Sequence, residues 1–156
     1  MNPMENQDDV FTVLMADDDT DDHLLVKSAF QEMGIAHDLH FVGDGKELLE
    51  YLYKKGDFAD HKKCPKPSLI LLDLNMPRID GREALARIKS DPQLSDIPVL
   101  ILTTSKEERD MVLCKQAGAS SFLSKPEAFE DLIVMLSKFC VAILNDPDVP
   151  FQVIGC

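Results

Sequence analysis

The stretch Ser68-Leu69-Ile70-Leu71-Leu72-Asp73, SLILLD, decides the fold. Its four consecutive apolar residues leave no face for water, so a strand built from them must be covered on both sides. Two further runs share this character, IPVLIL at 97–102 and VFTVLMA at 10–16. Between the runs the apolar period becomes helical. Leu25, Ala29, Phe30 and Met33 fall on one face of a helix that starts at Thr20 and ends at Gly34. Further helices are predicted over 46–53, 82–89 and 106–117. A last one carries Phe129, Leu132, Ile133, Leu136, Cys140 and Ile143 at helical spacing. Segments 39–42 and 121–124 complete a set of five strands, and 54–67 reads as a surface loop. Five strands alternating with five helices predict an α/β, doubly wound parallel sheet with helices on both faces, in a single domain. The expected division is an extension over 1–9, a domain over 10–143 and a tail over 144–156.

Composition narrows the function. The chain has 156 residues, is 45% hydrophobic and carries a formal net charge of −12. One packed core is expected, and a surface evolved to grip phosphate backbones is not, so nucleic acid is excluded as a partner. The first fifteen residues lack the basic start and apolar run of a signal peptide, and no window is long enough to span a membrane. Cys64, Cys114, Cys140 and Cys156 are scattered, without a C-x-x-C pair. That spacing suits neither zinc nor a disulfide framework and fits a reducing cytoplasm.

Right-handed crossovers bring the C-terminal ends of all parallel strands to one edge, where such sheets bind ligands. The hydrophilic residues ending the strands are Asp17 and Asp18, Asp73, Thr103 and Lys125. Three carboxylates meeting there repel by roughly 4 kcal/mol per close pair at an effective dielectric near 20. A divalent cation removes that penalty, and an all-oxygen set without His or Cys favours Mg²⁺, with Mn²⁺ as a substitute. A hydroxyl and an ammonium opposite suit an incoming phosphoryl group, and one aspartate is then the nucleophile that forms an acyl phosphate.

These motifs are ADDD after strand one, LLDLNMPRIDG around Asp73, PVLILTT at strand four and GASSFLSKP at strand five. Together they resemble the receiver domains of two-component response regulators over about residues 10–142. The resemblance implies a flavodoxin-like (βα)5 sheet in strand order 2-1-3-4-5. It implies Asp73 as phosphoacceptor, Asp18 and Asp73 as direct Mg²⁺ ligands, Asp17 as a ligand through water, and Asn75 as a ligand through its carbonyl. Thr103 and Lys125 would contact the phosphoryl oxygens, Phe122 would be the strand-five aromatic that rotates on activation, and the peptide before Pro126 would be cis. The implied protein is a stand-alone, cytoplasmic response regulator. Its phosphoryl donor is a sensor histidine kinase, and its only activities are self-phosphorylation and self-dephosphorylation. It would signal through a homodimer, a downstream protein target or a phosphotransfer protein. The long loop before strand three and the extended tail point within the family to regulators paired with phytochrome-type kinases.

Other readings of the same residues do worse. An EF-hand loop in DDDTDDHLLVKS would have Asp22 where Gly is needed and Ser28 where Glu is needed. A D-x-D-x-T phosphatase motif fails because Asp21 stands at the Thr position. A flavin phosphate would be repelled by the first loop's five acids. The remaining alternative is a degenerate receiver-like module acting by protein binding alone, although such modules typically lose an acid or the lysine, and both are present here. Asp19, Asp21 and Asp22 are expected simply to cap the first helix. His23, His37, His40 and His61 are expected at the surface without matching partners.

Overall fold

The computed structural model describes residues 10–35, 37–146, 148 and 150–154. The proposed extension at 1–9 therefore lies outside the described residues. Strand β1 (Phe11–Ala16) leads to helix α1 (Thr20–Met33), β2 (His37–Val42), α2 (Gly45–Leu52), β3 (Leu69–Leu72) and α3 (Gly81–Ser90). Then come β4 (Val99–Thr103), α4 (Glu108–Ala117), β5 (Ser121–Ser124), α5 (Phe129–Asn145) and a two-residue strand, β6 (Val153–Ile154). The strands are all parallel, in the order β2-β1-β3-β4-β5-β6.

The continuous apolar runs become central strands because their side chains alternate between two cores. Leu14, Ala16, Ile70, Leu72 and Ile101 face the layer of α2, α3 and α4, with Leu48, Leu85, Ile88 and Cys114. Val13, Met15, Leu69, Leu71 and Leu100 face α1 and α5, with Phe30, Leu136, Phe139 and Cys140. Among the described residues no helix is long and apolar enough to cross a membrane.

Four local differences from the sequence reading have physical causes. The tail over 144–156 contributes β6, whose Val153 and Ile154 align with Phe122 and Leu123, so the five-stranded order gains one edge strand. The inward face of α1 is Val26, Ala29 and Phe30. Leu25, predicted to point inward, is 45% exposed beside Leu24, because the helix is rotated to close on α5. Strand β2 begins at His37, earlier than its apolar residues indicate, since an edge strand needs only backbone pairing with β1. Strand β4 begins at Val99, after Pro98, which has no N–H for the ladder but still accepts from Ile70 N at 3.0 Å.

Candidate functional site

Strands β1, β3, β4 and β5 each deliver a polar residue to the same edge, and the loops there are fixed by main-chain contacts. Asp17 N donates to Val42 O (3.1 Å), and Asp73 N donates to Ala16 O (3.0 Å), which sets the ends of β1 and β3 level. Just past β5, Lys125 N donates to Thr103 O (2.8 Å), tying the lysine to the end of β4. Helix α3 starts against the Asp73 carbonyl, and a side chain at Gly81 would overlap that oxygen. Gly81 is required there by close approach rather than by its backbone angles.

Asp17, Asp18 and Asp73 each place a carboxylate oxygen within 4.8 Å of the others. Asp17 is fully buried, Asp73 is buried and Asp18 is exposed. Lys125 Nζ lies 2.7 Å from Asp17 Oδ2, 2.6 Å from Asp22 Oδ2 and 3.7 Å from Asp73 Oδ2. Burial pushes the Asp17 carboxyl above its ordinary value, outweighing its hydrogen bonds from Lys125 and Asp19 N, and Asp73 adds to the rise. For Lys125, burial acts to lower the pKa, but the hydrogen bonds to Asp17 and Asp22 and the charge of Asp73 carry it upward. The two rises have different causes: burial dominates at Asp17, whereas at Lys125 the several carboxylates around one ammonium outweigh burial.

This donor set fits a hard divalent cation. It consists of oxygen atoms only, it is negatively charged in excess of its lysine, and one member stays open to solvent. Asn75 lies exposed two residues past Asp73, its N–H 3.4 Å from Asp73 Oδ1. Thr103 ends the strand beside β3 and is fully buried, with Oγ1 accepting from Ser105 N at 3.4 Å. Phe122 is fully buried in the core under α4. The Lys125–Pro126 peptide, expected to be cis, is trans. The lysine reaches the acids with this peptide trans.

Two residues read as bystanders take part. Asp19 does cap α1, accepting from Asp21 N at 2.9 Å, but Asp22 reaches Lys125. The available signal was adjacency, since Asp22 lies in the first turn of α1, directly after the loop that carries Asp17 and Asp18. His23 is half-buried, stacked on Phe41 at 4.6 Å, and its Nε2 donates to Asp17 O at 2.6 Å. His37 and His40 also have partners, Ile35 O and the Asp38 carboxylate. A more spacious cleft of about 600 Å³ lies between α2 and α3. Its charges are mixed, Lys46, Glu50, Arg87 and Asp91, and they form no converging set of acids.

The response regulator receiver domain family matches residues 13–137. Response regulator Rcp1 of Synechocystis sp. is 37% identical over 124 residues, covering 80% of this chain and 82% of that protein. The phosphorylated cyanobacterial phytochrome response regulator RcpA superposes with a TM-score of 0.78 at 33% identity, covering 88% of this chain and 96% of the other. The Mn²⁺-bound form of response regulator Rcp1 superposes with a TM-score of 0.77 at 34% identity, covering 89% and 98%. Sheet order, strand-end acids and sequence all converge, and the chain belongs to the response regulator receiver family of two-component signalling.

Proposed function

We propose that Asp73 accepts a phosphoryl group from a phosphohistidine of a sensor histidine kinase. The observation that carries this reading is the cluster of Asp17, Asp18 and Asp73 against a single Lys125. An Asp73 oxygen attacks phosphorus, the P–N bond breaks, and its electron pair returns to the imidazole. Lys125 lies where it offsets charge on the transferred group, and Thr103 donates its hydroxyl proton toward a phosphoryl oxygen. Asp17, Asp18, Asp73 and the Asn75 carbonyl would hold Mg²⁺, or Mn²⁺ in its place. When bound, the cation neutralises charge that Lys125 alone leaves uncompensated. In the reset step, water attacks phosphorus and the Asp73 carboxylate departs.

The reading extends to partners. The likeness to phytochrome response regulators supports a phytochrome-type kinase as donor, in the cytoplasm, with a protein contact as output. Phosphorylation would draw Thr103 inward and let Phe122 repack, biasing a two-state element at α4 and β5. We assign the phosphoryl chemistry to residues 10–143 and a contact role to 144–156. Exposed Val134, Val141 and Leu144 on α5 supply an apolar face for a homodimer. Light-scattering mass with and without beryllofluoride tests that coupling.

Incubation with Mg²⁺ and acetyl phosphate, followed by intact-protein mass, tests the chemistry. The expected result is a gain of one phosphoryl group that Asp73→Asn abolishes. No gain in the wild type would leave the protein-binding module without phosphorylation as the better reading.

A further inference from the structure

A second buried carboxylate lies away from the acidic cluster, and its partners lead back toward it. Asp110, in the first turn of α4, is 4% exposed. Arg82 Nε and Nη2 donate to its two oxygens at 2.8 Å each, and Ser105 Oγ donates to Oδ2 at 2.7 Å. Ser105 is two residues past Thr103. Its N–H donates to Thr103 Oγ1 (3.4 Å), and its carbonyl accepts from Ser124 Oγ (3.3 Å), the residue before Lys125. At the other end, Arg82 follows Gly81, the residue packed on the Asp73 carbonyl. A closed path therefore joins Asp73 to Thr103 through Arg82, Asp110 and Ser105.

The path is not needed to close the core. Ala84, Leu85 and Ile88 of α3 and Cys114 of α4 already share one apolar cluster. A buried ion pair adds little net stability over apolar packing and is better attested as a device that selects one arrangement. A two-pronged Arg–carboxylate pair is also demanding in geometry, so it fixes the first turn of α4 to α3. Ser105 then moors the segment between β4 and α4 to that point, with the Thr103 hydroxyl oxygen engaged by its own loop. A Thr103 that turns to a phosphoryl oxygen on Asp73 must release that amide or carry the loop with it.

We propose that Asp110, held by Arg82, is a positioning residue that latches the 103–107 segment through Ser105 and so opposes the Thr103 movement that accompanies phosphorylation of Asp73. The latch rests on the reading that Asp73 takes the phosphoryl group and Thr103 answers it. By linkage, whatever loosens the latch must favour the phosphorylated arrangement by the same factor.

The test uses the full chain at saturating Mg²⁺, with beryllofluoride affinity and the rate of phosphoryl uptake from acetyl phosphate as readouts. Ser105→Ala removes the hydroxyl that donates to Asp110 and accepts from Glu107 N at 3.3 Å. Arg82→Lys leaves that hydroxyl in place, keeping the charge but losing the two-pronged geometry. Both should bind beryllofluoride about fivefold or more tightly than wild type and take up phosphoryl faster. Mg²⁺ affinity should be unchanged, and Ser105→Thr, which restores a hydroxyl, should return wild-type behaviour. Equal or weaker beryllofluoride binding in Ser105→Ala overturns the latch, as does a Ser105→Thr variant that behaves like Ala. A wild type that takes up no more phosphoryl than Asp73→Asn overturns the parent reading and the latch with it, a result separable from normal uptake with unresponsive variants.

Discussion

Asp17 and Asp110 are both buried acids with a cationic partner, yet their surroundings move the two carboxyls in opposite directions. Asp17 is raised because burial outweighs a lysine shared with Asp22 and Asp73. Asp110 is lowered because two hydrogen bonds from Arg82 overcome the cost of burial, with Ser105 assisting. The Arg82 guanidinium is raised in turn, chiefly by its hydrogen bonds to Asp110. The difference is one of completeness. The Asp110 cluster satisfies its charges from within the chain, whereas the Asp17 cluster has acids left over and is built to be finished by something that arrives.

Removing the cation from each cluster should give the largest effects and the sharpest contrast. Arg82→Met leaves Asp110 buried without its partner. Since the Arg82 side chain is 30% exposed, the loss should sit below that of a fully buried pair, about 2 kcal/mol by urea unfolding, and Mg²⁺ should not restore it. Lys125→Met should also destabilise the metal-free protein by about 2 kcal/mol, but there saturating Mg²⁺ should recover most of the loss. Equal Mg²⁺ rescue of both variants would break the comparison.

Removing an acid should reverse the sign between clusters. Asp17→Asn should stabilise the metal-free protein by about 1 kcal/mol while eliminating its thermal response to Mg²⁺. Asp110→Asn should destabilise by a similar amount, about 1 kcal/mol, because a charged hydrogen bond becomes a neutral one.

The pH dependence sharpens the second case. The folded carboxyl of Asp110 lies below its ordinary value of 3.8. Its contribution is therefore complete above 3.8 and is lost as pH falls through the depressed folded value. The stability gap between wild type and Asp110→Asn should stay flat from neutral pH to about 4 and close only below it. A gap that closes already between neutrality and about pH 5 would contradict the lowered carboxyl. The smallest effect is expected at an exposed pair. Arg87 meets Glu83 at 3.1 Å with both side chains 54% exposed, and Arg87→Ala should change stability by no more than about 0.5 kcal/mol.

What the sequence discloses follows from how each feature is enforced. The run from Leu69 to Leu72 is readable because burial on both faces leaves no alternative residue type, and the acid that stops it marks the edge of the sheet. The grouping of Asp17, Asp18, Asp73 and Lys125 follows from strand ends alone. Strand β6 is not readable, because two residues on an edge are recruited by the open backbone of β5. Leu25 and Val26 are both good helix-core residues, and only the docking of α1 on α5 decides between them. The Arg82–Asp110–Ser105 set is equally hidden. Arg82 and Asp110 are 28 residues apart on different helices, and surface charges of that kind are common in any sequence.

The pairing of Lys125 with Asp17 spans 108 residues and crosses from β5 to β1, with β3 and β4 between them. No piece of the chain that ends before Lys125 can assemble that pair, so the acidic cluster gains its counter-charge only when the last of these strands has docked. A chain in which β5 has not yet docked would bring together the acids of β1 and β3 without their lysine. The cation's own ligands come from the ends of β1 and β3, so its affinity reports the pairing of those two strands, while the lysine reports the arrival of β5.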